Sequence, residues 1–269
     1  MPEGDSYVRA AGRVRPVLVG RTIEEVGGSA PDVRRWSQRL LGKEVKAVRT
    51  HGKRLLIDVE GEVTIVIWLG MQGRVFVIPM TTPVPGNARL VLSTSEFHTV
   101  VQAAPRITVE RQRVVDHQLQ SLGPDLLSRD FDLERAVERA QAVAATHTVS
   151  ELVLNQRVAA GIGNEYRCEI LFLEHLHPEL PAADLGVEAL RSLYDRAQRV
   201  MLAASKWPVR TTTGISVRED LRTWVYGRRG RPCRRCRSAI AEGWMGHPVR
   251  ITYWCPSCQP PPASDVRRA

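Results

Sequence analysis

Apolar side chains recur at helical spacing near the start of the chain, at Tyr7, Ala11, Val14 and Leu18, and the run stops at Gly20, which predicts one amphipathic helix. From Arg21 to about Gln102 the rhythm shortens. Residues 44–49, 54–59, 63–68, 74–78, 88–92 and 98–101 are strand candidates, with Glu60-Gly61 and Met71-Gln72-Gly73 supplying turns between some of them. Several short strands at this spacing predict an antiparallel sandwich. After Leu122-Gly123-Pro124-Asp125 the period becomes helical, over 132–145, 149–155 and 165–175 and again at Leu190, Leu193, Tyr194, Ala197, Val200 and Met201. No internal repeat is visible. The pattern predicts an α+β multidomain chain: a sandwich domain with an N-terminal helix (1–128), a helical domain (129–215), a small module (216–260) and a disordered tail (261–269).

The small module carries Cys233, Cys236, Cys255 and Cys258, spaced C-x2-C-x18-C-x2-C, which reads as a zinc ribbon closing one β-hairpin. Four thiolates saturate tetrahedral Zn²⁺, so one structural ion per chain is expected, with no open position for catalysis. Two disulfides are the alternative. The tight x2 spacing and an N-terminus without signal-peptide features argue for zinc and for a reducing compartment, the cytoplasm, at the nucleoid if the source is bacterial. No run approaches the ~18 apolar residues of a membrane helix. The net charge of +9 favours a polyanionic partner, and the hairpin region adds Arg231, Arg234, Arg235, Arg237 and Arg250. The remaining cysteine, Cys168, falls on an apolar helix and is expected in the core. The seven histidines form no ligand spacing, and His247 lies inside a hairpin whose metal site is already filled.

Gly161 and Gly163 interrupt an otherwise continuous helical stretch, with Asn164 where a helix N-cap would sit, so backbone N–H groups and a helix dipole could face a phosphate there. A plain helix-turn-helix connection without ligand has the same spacing.

The segment Gln156-Arg157-Val158-Ala159-Ala160-Gly161-Ile162-Gly163-Asn164-Glu165-Tyr166 resembles the helix-two-turn-helix of the formamidopyrimidine-DNA glycosylase and endonuclease VIII family of DNA repair enzymes. Met1-Pro2-Glu3-Gly4, the segments 52–56 and 69–74, and the zinc-finger segment 250–259 resemble further motifs of that family in the same order. The resemblance spans essentially the whole chain. It implies a monomeric bifunctional DNA glycosylase/AP lyase of base excision repair, with damaged DNA, duplex or also single-stranded or bubble, in a cleft between its domains.

In that family reading Pro2, exposed by loss of Met1, attacks the sugar C1′ and forms an iminium. An α-amine titrates near about 7.7–8.0 against ~10.4 for lysine, so a neutral fraction is available near neutrality. Glu3 is implied as the general acid/base. Lys53 is implied as phosphate ligand and proton donor in β-elimination, and Arg250 as the grip on the flanking phosphates that assists δ-elimination. Asn164 would hold the same backbone from the helical side, and Met71 would wedge into the space left by the extruded base. Glu169 is implied as structural.

Several positions depart from the family pattern: Ser6 for a frequent glutamate, Trp68 for histidine, and no recognisable Asp-x-Arg-Arg-Phe-Gly motif, part of which Arg106 could replace. Gly4 and the short segment 213–225 favour the endonuclease VIII branch and oxidised pyrimidines as substrates. A catalytically degenerate relative that binds damaged or branched DNA is the rival reading. The joint presence of Pro2, Glu3, Lys53 and Arg250 argues for chemistry.

Overall fold

The structure, a computed structural model, describes residues 1–262; from residue 263 onward the tail expected to be disordered lies outside the described residues. Two compact units follow one another, Met1–Ser121 and Leu122–Ala269.

Unit one contains α1 (Gly4–Leu18), β1 (Glu25–Gly27), α2 (Pro31–Leu40), β2 (Val45–Thr50), β3 (Leu55–Val59), β4 (Val63–Trp68), β5 (Arg74–Pro79), β6 (Ala88–Ser93), β7 (Phe97–Gln102), β8 (Arg106–Arg111) and α3 (Gln112–Gln120). The strands form two antiparallel four-stranded sheets, ordered β1-β6-β7-β5 and β2-β3-β4-β8. The expected sandwich is present, and α1 joins its core. Tyr7, Ala11, Val14 and Leu18 lie in one buried cluster with Ile65 and Ile67 of β4 and with Leu90, Leu92 and Val101 of the other sheet. Alternation explains the facing: in β4 Ile65 and Ile67 enter that core, while Thr64 turns to the other side and donates to the buried Asp58.

The expectation that only strands lie between Arg21 and Gln102 is corrected by α2. Pro31 occupies its first turn, a favoured site for a residue without N–H, and Val33, Trp36 and Leu40 recur at helical spacing toward the core. The strands also continue past Gln102, because β8 pairs with β4 and alternates Ile107 and Val109 inward. The helix α3 has one fully buried side chain, Val115. Arg49 latches it to the sheet by bridging Asp58 (2.6 Å) and Asp116 (2.9 Å).

Unit two contains α4 (Leu133–Ala144), α5 (Val149–Leu154), α6 (Asn164–Leu173), α7 (Val187–Ser205), β9 (Ala241–Met245) and β10 (Arg250–Trp254). The four helices share one apolar core that includes Val137, Leu152, Ile170, Leu193 and Met201. Leu126 belongs to it too, and Gly123 bonds to Gln156, so the segment ahead of α4 is part of this unit. A second cluster joins Cys168 and Phe172 of α6 to Val225, Cys233 and Cys255. Cys168 is a core residue, as expected, and burial pushes its thiol up to about 11. Among the described residues no helix is long and apolar enough to cross a membrane.

Candidate functional site

At the start of unit one, Glu3 caps α1. Its side chain faces the Ser6 N–H while Ser6 Oγ accepts the Glu3 N–H at 3.4 Å, a reciprocal box with the usual residue types exchanged. Glu3 is fully buried. A glutamate is not a favoured cap, and burial of a carboxyl is costly, so its place needs a reason other than helix stability. Pro2 beside it lines a cavity of about 330 Å³ with Ser6, Arg9, Arg13, Leu69 and Arg74. Arg9 is drawn to the buried Asp5 at 2.5 Å, so a guanidinium is fixed in this wall.

The cavity's other side is the turn that joins β4 to β5. Tyr7 anchors it from α1, its hydroxyl accepting the Leu69 N–H at 2.9 Å, and burial raises this phenol to about 12. Two glycines make the turn possible. Gly70 has φ +59 and a Cβ there would lie 2.7 Å from the Pro105 ring; a Cβ on Gly73 would lie 2.3 Å from Leu69 O. Met71 stands on this turn at 63 % exposure. Trp68 and Arg106 are opposed in the β4–β8 ladder, and both are exposed. The structure thus brings Arg106 to the edge where β4 gives way to the Met71 turn.

Lys53 sits in the β2–β3 turn, which His51 and Arg54 close by exchanging N–H···O bonds of 3.2 and 3.1 Å. Burial and then the charge of Arg106 lower the pKa of Arg54, whose charge also bears on Tyr7.

In unit two the loop between α5 and α6 is tied to itself. Gln156 donates to Leu154 O and Ile162 O, both at 2.9 Å, and accepts the Gly161 N–H at 3.0 Å. Gly163, not Asn164, is the cap of α6, and Asn164 is its first helical residue. The reason is a tertiary bond: Asn164 Nδ2 donates to Ile251 O at 2.8 Å, which turns the side chain away from its own helix end. Arg167, one turn on, donates to the same carbonyl at 3.2 Å and to Thr252 Oγ1 at 2.6 Å. The β9–β10 turn is fastened to α5, where Glu151 accepts the His247 N–H at 2.8 Å while completing a capping box with Thr148. Arg250 opens β10 next to this turn, exposed.

All five cysteines are free. The sulfurs of Cys233, Cys236, Cys255 and Cys258 lie within 4.8 Å of one another, a cluster able to hold a metal ion; His247 is no part of it. Behind it Glu169, fully buried, accepts the N–H groups of Trp224 (2.7 Å), Val225 (2.9 Å) and Tyr226 (2.8 Å) and the Thr212 hydroxyl. Burial pushes this carboxyl up, and the four donors oppose it. Glu169 therefore orders the chain entering the cysteine module. Among these anchors, Glu151 has a legible signal, the Thr148-x-x-Glu151 capping pattern. Arg167 and Gln156 have none, because their partners are distant carbonyls or loop backbone.

The chain matches the formamidopyrimidine-DNA glycosylase N-terminal domain over residues 1–112 and the formamidopyrimidine-DNA glycosylase H2TH domain over 122–215. It is 38% identical over 274 residues to "Probable endonuclease 8 2" of Streptomyces coelicolor, covering 98% of this chain and 95% of that one. The chain belongs to the formamidopyrimidine-DNA glycosylase/endonuclease VIII family. Within this family it is also 34% identical to the "DNA-(apurinic or apyrimidinic site) lyase Nei2" of Mycolicibacterium smegmatis, covering 96% of this chain and 99% of the relative. Four relatives named formamidopyrimidine-DNA glycosylase match at 25% to 32% identity, below the 34% to 38% of these two relatives. The fold is that of a Lactococcus lactis Fpg in complex with abasic-site DNA, with a TM-score of 0.84 at 21% identity, over 97% of this chain and 100% of that one.

Proposed function

We propose that the protein is a bifunctional DNA glycosylase/AP lyase that removes oxidised bases, chiefly pyrimidines, and cuts the abasic strand by β,δ-elimination. One observation carries this reading: Pro2 lines a cavity and is followed by a fully buried carboxyl, Glu3, at the N-terminus of α1. Removal of Met1 makes Pro2 a secondary amine. Its lone pair forms the N–C1′ bond as the C1′–base bond breaks, and the base leaves with that electron pair and a proton. The proton on the base comes from the Pro2 amine, and Glu3 gives its own carboxyl proton to O4′, so that the C1′–O4′ bond breaks and the sugar opens to the iminium. Glu3, now a carboxylate, takes a C2′ proton, the electrons of that C–H bond move toward the iminium and the 3′ phosphate is expelled. Loss of the C4′ proton then expels the 5′ phosphate, with Lys53 donating a proton to the leaving phosphate and Arg250 on the phosphate oxygens.

Damaged DNA is the substrate by similarity to the relatives above. Met71, exposed on its turn, fills the space of the extruded nucleotide, and Arg106 faces the orphaned partner base. Since Asn164 Nδ2 is committed to Ile251 O, Asn164 serves by fixing the Arg250 strand, and the first backbone N–H groups of α6 meet the phosphate. One Zn²⁺ is held by Cys233, Cys236, Cys255 and Cys258. Sulfur pairs 3.9 Å (Cys233–Cys258) and 3.4 Å (Cys236–Cys255) apart bracket the S···S edge of about 3.8 Å that a Zn–S bond of about 2.3 Å demands. Zinc here supports the hairpin and takes no part in bond breaking.

Borohydride reduction on an abasic-site oligonucleotide tests the assignment, followed by mass mapping. The adduct is expected on the peptide beginning with Pro2. An adduct on an internal lysine, or none, refutes it.

A further inference from the structure

Arg167 is the largest of the fully buried side chains, and among the described residues its hydrogen-bond partners are all neutral oxygens. Nη1 donates to Ser150 Oγ of α5 at 2.9 Å; Nη2 donates to Ile251 O and to Thr252 Oγ1; Nε has no partner. The nearby carboxylate of Glu151 is occupied by the N–H groups of Thr148 and His247. A buried cation with no carboxylate among its hydrogen-bond partners is a poor source of stability, and an apolar side chain of similar volume would serve the core as well or better. Its bonds converge on one place. Thr252, itself fully buried, passes the interaction on, its hydroxyl donating to Arg250 O at 3.1 Å. Asn164 reaches the intervening carbonyl of Ile251 from the same helix.

We infer that Arg167 is a positioning residue for strand scission, clamping the backbone of Arg250 through Thr252 and setting a buried positive charge behind the phosphate-gripping end of the hairpin. The inference rests on the reading of Arg250 given above. Two effects are combined. The relay Arg167–Thr252–Arg250 removes freedom from the residue that must meet a phosphate, and the charge, in a medium of low dielectric, attracts the anion from behind. A phosphate arriving at Arg250 is then met by two guanidinium charges although only one touches it.

The test is a double-mutant cycle on the zinc-loaded full chain. Arg167→Met, Arg167→Lys and Thr252→Val are each made alone and with Arg250→Ala, and single-turnover cleavage of a preformed abasic strand is measured beside zinc content and affinity for undamaged duplex. Thr252→Val is expected to slow cleavage severalfold with affinity unchanged, because it removes only the relay. Arg167→Met should slow it about tenfold and also weaken affinity, and Arg167→Lys should restore the affinity but not the rate. In the Arg250→Ala background the Thr252→Val loss should nearly vanish, and of the Arg167→Met loss only the part due to charge should remain. Losses that simply add to that of Arg250→Ala, or wild-type cleavage by Thr252→Val, overturn the inference while leaving the glycosylase reading intact. Normal cleavage by Arg250→Ala alone overturns the assigned role of Arg250 and this inference with it. Should Arg167→Met fail to fold, Thr252→Val still decides the relay.

Discussion

In unit one the residues assigned to chemistry hang from an apolar scaffold. Pro2 and Glu3 precede a helix whose Tyr7, Ala11 and Val14 are sealed between two sheets, and Met71 stands on a turn shaped by Gly70 against Pro105. In unit two the residues that would grip DNA hang from polar bonds. The β9–β10 hairpin is held by Asn164, Arg167 and Glu151, the chain leading to it by Glu169, and its base by four cysteines. Apolar packing is indifferent to pH, salt and metal supply, whereas carboxylates, guanidinium forks and thiolates are not. The gripping half of the enzyme should therefore fail under conditions that leave the reacting half folded.

Removing the metal separates the halves most sharply. Chelation should abolish DNA binding while the sandwich keeps its circular-dichroism signal and its cooperative melting, because the thiolate site supports only the hairpin module. A sandwich that unfolds together with metal loss would break the contrast. Glu3→Gln acts on the other half: base excision should fall by about 10² to 10⁴-fold, the range of general acid–base catalysis, with cleavage of preformed abasic sites reduced less and DNA affinity kept. Equal losses on damaged-base and abasic substrates would remove Glu3 from base departure.

Two stability measurements follow at smaller size. Glu169→Ala strands three backbone N–H groups in a buried setting, at a cost of about 1–3 kcal/mol for each donor left unpaired, so the melting of unit two should drop well below that of unit one. Gly70→Ala places a Cβ against Pro105 at φ +59 and should cost about 1–3 kcal/mol in unit one, shifting the Met71 turn without loss of metal. Unchanged melting of unit two in Glu169→Ala would show that the cysteine cluster alone orders the module. The mildest effect is on pH. Burial opposes the ionisation of Glu151, but the Thr148 and His247 N–H groups outweigh it and hold its pKa below the usual carboxylate value. A depressed folded-state pKa means that this anchor contributes above the unfolded value of about 4.3 and is lost as pH falls through the lower, folded one. Hydrogen exchange at the His247 amide should accelerate in that acid window in the wild type, and already at neutral pH in Glu151→Gln.

The periodic elements were legible in the chain because one face of each is buried against a continuous core. The spacing of Tyr7, Ala11, Val14 and Leu18 marks α1, that of Leu190 to Met201 marks α7, and short β-rich runs mark six of the strands. The helix α3 escaped this reading because it has one buried side chain and is held by the Arg49 ion pairs instead. The strand β8 was hidden behind Ala104-Pro105-Arg106, although its Ile107 and Val109 alternate.

By itself the sequence determined the order of the parts and the candidates for the reactive groups: a proline and a glutamate at the start, four cysteines at metal-ligand spacing, and motifs in family order. These follow from local spacing, which the covalent chain fixes. Only the tertiary structure decided that Asn164 spends its amide on Ile251, that Glu169 gathers Trp224, Val225 and Tyr226, and that Arg167 is buried among neutral oxygens behind Arg250. Each joins positions about fifty to ninety residues apart through single polar atoms. Such a bond depends on distance and angle in the folded chain, and neither leaves a period in the sequence.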